Sequence, residues 1–161
     1  EADRLAAGQA VRPGFFLDAA DFIKGFADGC HHKKEEGVLF EAMVGAGLPR
    51  QGGPIPVMLA EHEQGRVFTR GMRDAANRLA AGDGAARADL VNNARGYVAL
   101  LRQHIDKEND ILFPLADQVI PVARQAQVAE DFERVEHEDT GEGVHAKYLA
   151  LAEALEREAR A

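Results

Sequence analysis

The 161-residue chain carries a single cysteine, Cys30, so no internal disulfide framework can form, and a reducing compartment fits that usage. Clustered lysine and arginine are also missing. The formal charge is -8, and the bases are interspersed with acids. A nucleic-acid backbone and an anionic membrane both demand a basic patch, so neither is expected as a partner. No apolar run approaches the roughly 18 residues that a bilayer crossing needs. Residues 1–20 lack the basic start and apolar segment of a secretory signal. These absences lead to the expectation of a soluble, cytoplasmic protein.

The chain is 46% apolar and 29% charged, which suits one compact domain able to bury a sizeable core. Its breakers divide it into helices. Glu1 to Gly8 reads as the last turns of a helix closed by a glycine, so a preceding segment is expected. After Arg12-Pro13-Gly14, a second helix is predicted from Phe15 to Val44, with Phe16, Ala19, Ile23, Phe26 or Ala27, and Cys30 on its inward stripe. Gly45 to Pro54 holds four glycines and two prolines and makes a surface connection. A third helix runs from Ile55 to Ala81, its stripe of Met58, His62, Gly65, Thr69, Met72, Ala76 and Leu79 placing His62 at a core position. Ala81 to Gly84 breaks the chain again. A fourth helix occupies Ala85 to Phe113, with Pro114 near its end or at a kink.

The informative stretch is Tyr97 to Pro114, YVALLRQHIDKENDILFP. At helical pitch Tyr97, Leu101, His104, Glu108 and Leu112 share one stripe, so a histidine and a carboxylate one turn apart point inward with the leucines. Burying an ionised carboxylate costs on the order of several kcal/mol unless a cation or a donor compensates. A lone pair at this spacing reads equally well as a solvated helix pair or a core histidine, so context decides. That context is a second copy. His31 to Phe40 overlays His104 to Phe113 without a gap, setting His31 on His104, Glu35 on Glu108, Leu39 on Leu112 and Phe40 on Phe113. Two helices with the same inward pair and the same apolar plug suggest a two-fold site of the kind that bundles use to hold two metals.

The two His-x-x-x-Glu motifs, each running into Leu-Phe, with His62 on the helix between them, resemble the hemerythrin-like family, or HHE cation-binding domain. The resemblance implies an all-α, up-and-down four-helix bundle enclosing two iron ions in an oxo- or hydroxo-bridged non-haem centre. One domain is expected over residues 1–161, with bundle helices in 1–114, the first of them truncated, and a C-terminal helical extension in 115–161. The family's first helix brings a further histidine, and this chain has none before His31. The metal set carried over is His31, His32, Glu35, His62, His104 and Glu108, with the two glutamates as bridges. His32 is either a ligand or a donor at the rim. The implied function is binding or sensing of O2, NO or a related ligand. An enzyme consuming peroxide or NO, or an iron-storage or iron-sensing protein, is the alternative.

Other residues receive plainer readings. Cys30 is an apolar filler, with a redox role conceivable beside His31. Gly65 leaves room for a small ligand or for an aromatic such as Phe68, or marks a close helix contact. Glu36, Glu63 and Arg66 are surface pairs, with Arg66 as a conceivable gate. An amphipathic segment follows Pro121. A break comes at Thr140 to Gly143, and Val144, Tyr148, Leu151 and Leu155 then mark a terminal helix packed on the outside of the bundle. His137 belongs to a solvated acidic patch and His145 to a structural contact. The reversed order Glu-x-x-His occurs at Glu142 to His145 without a partner copy.

Overall fold

The computed structural model describes residues 1–141 and 143–161, with the side chains of all of these except 138–140. Among the described residues every regular element is helical, and no helix is long and apolar enough to cross a membrane. Helix α1 covers Ala2–Ala6 and closes toward Gly8, whose φ is 79°. Helix α2, Pro13–Phe22, starts on a proline, whose missing N–H costs nothing in a first turn. The rod continues through π-helical Ile23–His32 and Glu35–Leu39 into α3, Phe40–Gly45. Helix α4, Pro54–Ala80, follows Gly53, whose φ of 71° turns the chain as a side chain rarely allows.

Helix α5, Ala86–Lys107, passes through π-helical Glu108–Leu112 into α6, Phe113–Val119. The sequence placed the end of this rod near Phe113, but helix continues past Pro114. A proline is tolerated where the hydrogen-bond register is already changing, which is the case just after a π turn. Helix α7, Val122–Arg134, continues as π-helical Val135–Thr140, and α8, Val144–Arg160, ends the chain. Consecutive rods joined by short loops pack as an up-and-down bundle: α4 packs on α5, α2 on α4 and α1 on α5. Helix α8 lies outside against α2. There the Tyr148 ring meets Phe22 edge-on at 6.3 Å, over a position where only glycine, Gly25, leaves room.

The core divides into two apolar plugs. One gathers Leu5, Phe16, Ala20, Met72, Ala76 and Leu90. The other gathers Leu39, Phe40, Met43, Ile55, Met58 and Leu112. Burying each of the larger side chains contributes about 1.5–3 kcal/mol, so the plugs hold the rods together at both ends. Between them along α4 and α5 lie the buried polar residues His32, Glu35, His62, Thr69, His104 and Glu108. Thr69 is satisfied within its own helix, its hydroxyl donating to the Gly65 carbonyl at 2.8 Å. The other five have no such local answer.

Candidate metal centre

Each rod that carries a His-x-x-x-Glu motif becomes π-helical at the glutamate. Glu35 opens the segment to Leu39, and Glu108 opens the segment to Leu112. The repeat read in the sequence is therefore a repeat of backbone winding too, and π turns recur at functional sites because they re-aim side chains. Both carboxylates are buried, at 3% and 4% exposure. They share one cluster with His62 and His104, whose donor atoms all lie within 4.8 Å of one another.

The ring orientations show what that cluster lacks. His62 Nδ1 sits 2.7 Å from Glu36 Oε1, and His104 Nδ1 sits 3.0 Å from Glu61 Oε2. A neutral imidazole has one N–H, and these carboxylates take it. The Nε2 atoms are then left as bare lone pairs, and they face each other at 3.2 Å. Glu35 Oε2 lies 3.2 Å from His62 Nε2, and Glu108 Oε1 lies 2.9 Å from His104 Nε2. Glu35 Oε1 and Oε2 and Glu108 Oε1 are buried without a hydrogen bond. With both rings neutral, four acceptors thus converge with no donor among them. Each unmet buried group costs about 1–3 kcal/mol, more when charged, and a cation removes that cost at every one of them.

His31 and His32 occupy opposite sides of this cluster. His31 is half exposed, at 46% of its side chain, yet its Nε2 lies 3.7 Å from Glu35 Oε2 and 3.5 Å from Glu108 Oε1. One oxygen of each carboxylate therefore lies near two imidazoles. His32 is buried, stacked on His62 at 3.9 Å between centroids, and forms a second donor group with His62 and His104. Its Nδ1 is 3.4 Å from Asp28 Oδ1. The outer partners are themselves anchored: Arg66 donates to Asp28 at 2.6 Å and to Glu36 at 2.8 Å, while Lys107 donates to Glu61. Such carboxylate-backed imidazoles fix the ring tautomer and raise the basicity of the free nitrogen.

Protonation follows the same pattern. Burial works to raise the Glu108 carboxyl, but the facing imidazoles of His104 and His31 outweigh it and hold the acid well below the usual range. The Glu108 carboxylate also pulls His31 above the ordinary histidine range. Burial opposes the same effect at His104, where Glu108 and Glu61 prevail. Burial pushes His32 the other way, down to about 4, with the neighbouring His62 adding to the effect. The carboxylates thus favour the charged ring at His31 and His104 but not at His32.

Sequence reasoning missed the outer partners. It set Glu36 and Arg66 on the surface, whereas Glu36 accepts from both His62 and Arg66. Glu61, Asp28 and Lys107 were not singled out. Adjacency of Glu61 to His62 was a signal, but the carboxylate reaches the histidine of the other helix, a partnership that sequence spacing cannot display. A Cβ at Gly65 would lie 3.7 Å from Tyr97 and 3.8 Å from Leu100, ordinary contact distances, while Phe68 lies over Gly96. Gly65 lines a cavity of about 10 Å³ with His32, His62, Tyr97 and His104 and another of about 350 Å³ with Asp28, His32, Arg66 and Tyr97, so there is room beside the site. Cys30 is buried and free. His137 is exposed near Glu133 at 3.6 Å, and His145 meets Phe26 edge-on at 5.3 Å. The acidic side chains at 138 and 139, and Glu142 of the reversed motif, lie outside the described residues.

Comparison with known proteins agrees with the geometry. A family model described as the hemerythrin HHE cation-binding domain matches residues 1–116. The uncharacterized proteins Mb2018 of Mycobacterium bovis and Rv1995 of Mycobacterium tuberculosis are each 29% identical over 125 residues, covering 78% of this chain and 48% of theirs. The chain thus spans about half the length of the curated relatives it matches. No solved structure gives a significant match. All the donor residues of the buried cluster fall inside the matched segment, and the chain belongs to the hemerythrin HHE cation-binding domain family.

Proposed function

We propose that the chain holds two iron ions between its π-wound rods and uses them to bind or sense O2, NO or a similar small ligand. The observation that carries this reading is the convergence of four atoms that can each ligate a metal, His62 Nε2, His104 Nε2, Glu35 Oε2 and Glu108 Oε1, in one buried cluster. Two ions are favoured over one because the His-x-x-x-Glu pair occurs twice and Glu35 and Glu108 each lie near two imidazoles, so either carboxylate would be able to serve two ions. Mixed imidazole and carboxylate donors suit iron in both common oxidation states. When bound, the pair supplies electrons and an open coordination position to the ligand. The protein's own residues hold those donors in register: Glu36 and Glu61 orient the two rings, and the apolar plugs fix the rods on either side of them.

Cavities of about 10 Å³ beside His32, His62 and His104 and of about 350 Å³ beside His32, Gly65 and Tyr97 leave room for a small ligand near the cluster. We place this binding or sensing in the cytoplasm; an enzyme consuming peroxide or NO is the alternative. Protein purified from iron-replete cells is expected to contain about two irons per chain and to show visible absorption that responds to azide or NO. Glu108→Ala should lose that metal while remaining helical. Iron-free protein from such cells, or a Glu108→Ala variant with undiminished iron, contradicts the reading.

A further inference from the structure

The larger of the two cavities beside the cluster differs in charge from the chain around it. It measures about 350 Å³ and lies between π-helical Ile23–His32 and α4. Arg66, Arg70 and Arg73 recur along α4 at steps of four and three, so they share one face of that helix, and Lys24 stands on the rod packed against it. Four cationic side chains therefore line the space against one acid, Asp28. The formal charge of the whole chain is -8, so this balance is local. The volume falls within the roughly 300–1,000 Å³ typical of sites for small organic molecules.

The existing pairings leave those cations open to a ligand. Lys24 is exposed and has no ion-pair or hydrogen-bond partner among the described residues. Arg70 and Arg73 each reach one carboxylate, Glu63 at 3.0 Å and Asp21 at 2.6 Å, and neither of those acids lines the cavity. Both acids are more than half exposed, at 57% and 59%, and surface pairs of this kind contribute little, so a ligand can share the guanidinium groups. Asp28 is already answered, because Arg66 donates to it at 2.6 Å and His32 Nδ1 faces it at 3.4 Å. Tyr97, only 9% exposed, lines both this cavity and the smaller one, and its hydroxyl makes no hydrogen bond. Burial and the Asp28 charge raise that phenol to about 12, so it stays a donor. Ile23 and the Tyr97 ring add apolar surface. A cation would meet four like charges, and a neutral molecule would leave them unanswered. An oxyanion meets guanidinium forks whose geometry matches its own.

We propose that this cavity binds a small organic anion, a carboxylate or a phosphate ester, whose charged head is drawn by Lys24, Arg70 and Arg73 and to which Tyr97 offers a further donor. The assignment stands apart from the metal-centre reading, since it needs none of Glu35, His62, His104 and Glu108. Calorimetric titration of benzoate and of phenyl phosphate, into protein as purified and after chelation, tests it, with benzyl alcohol as the uncharged control. At least one of the two anions is expected to saturate a single site per chain in both states and to weaken as salt rises, and the tighter of them identifies the head group. Benzyl alcohol should bind at least tenfold more weakly. Lys24→Glu combined with Arg70→Glu should weaken the anion at least tenfold while iron content and helical circular dichroism stay unchanged. Tyr97→Phe removes only the hydroxyl and should weaken the anion severalfold. No saturable binding of either anion, equal affinity for benzyl alcohol, or full affinity in the folded double variant overturns the site. Binding seen only with iron present overturns it as well, because the anion is then a ligand of the metal. Unchanged affinity in Tyr97→Phe overturns the role of its hydroxyl. Iron content is read on the same samples, so anion binding by protein that holds no iron as purified sinks only the metal reading, and iron without anion binding after chelation sinks only this one.

Discussion

At the scale of single residues, the site depends on carboxylates outside the cluster that orient its rings. Glu61 accepts from His104 Nδ1 at 3.0 Å and is held by Lys107, so it fixes which nitrogen of His104 is free to ligate. Removing such a partner typically weakens metal binding about 10–100-fold. Glu61→Gln is therefore expected to lower iron affinity by that range without unfolding the bundle, as measured by competition against a chromophoric chelator. Glu36→Gln should do the same through His62. If both variants compete like the unaltered protein, the rings are oriented by packing alone. Of this arrangement, the sequence displayed the inward His104 and Glu108 and the core position of His62. It could not display Glu61 with His104, or Glu36 with His62, because each pair joins two helices and no spacing along one chain encodes which helix faces face each other.

At the scale of elements, the π-helical winding is what the sequence hid. A periodicity argument assumes about 3.6 residues per turn, and a π turn takes about one residue more. The overlay on His104 to Phe113 selects His31 as the inward histidine of this rod. After the π-helical run Ile23–His32, the buried ring is His32, and His31 stands half exposed at the rim. The long regular helices α4 and α5 kept their predicted stripes, since nothing in them changes pitch ahead of the site. The outer helix α8 was legible from Val144, Tyr148, Leu151 and Leu155, but its dock was not. A Cβ on Gly25 would lie 1.8 Å from the Tyr148 hydroxyl oxygen and 1.9 Å from its ring. Gly25→Ala should expel that ring and loosen α8, although alanine favours helix by about 1 kcal/mol. Hydrogen exchange is expected to quicken across 144–160 while α4 and α5 stay protected. Unchanged protection in α8 means that its other contacts hold it without Tyr148.

For the molecule as a whole, the polar layer between two apolar plugs makes stability and metal content one quantity. A ligand bound only by the native state adds about 2.7–4.1 kcal/mol when its concentration is 100 to 1,000 times Kd. In a domain of this size each kcal/mol moves the melting point by about 2–4 °C, so chelation should lower it by about 5–15 °C. The effect should also depend on pH, and its sign follows from the imidazoles. His31 and His104 bind protons more tightly in the folded, metal-free chain than the ordinary value near 6.5 allows. Their stabilising contribution is full below about pH 6.5 and is lost as pH rises through the raised folded values. The chelated protein therefore weakens as pH rises above 6.5, whereas the loaded protein, its acceptors already satisfied, does not. The gap between the two melting points should widen from about pH 6 to pH 8. Glu35→Gln combined with Glu108→Gln removes both buried charges and supplies amide hydrogens to the facing nitrogens. Replacing buried charge in this way is often neutral or stabilising by about 1–4 kcal/mol. That variant should melt at or above the chelated protein at about pH 8 and should respond neither to chelator nor to pH across the same range. A melting point indifferent to chelation at every pH, or a double variant as responsive as the unaltered protein, shows that the buried carboxylates answer to something other than a cation.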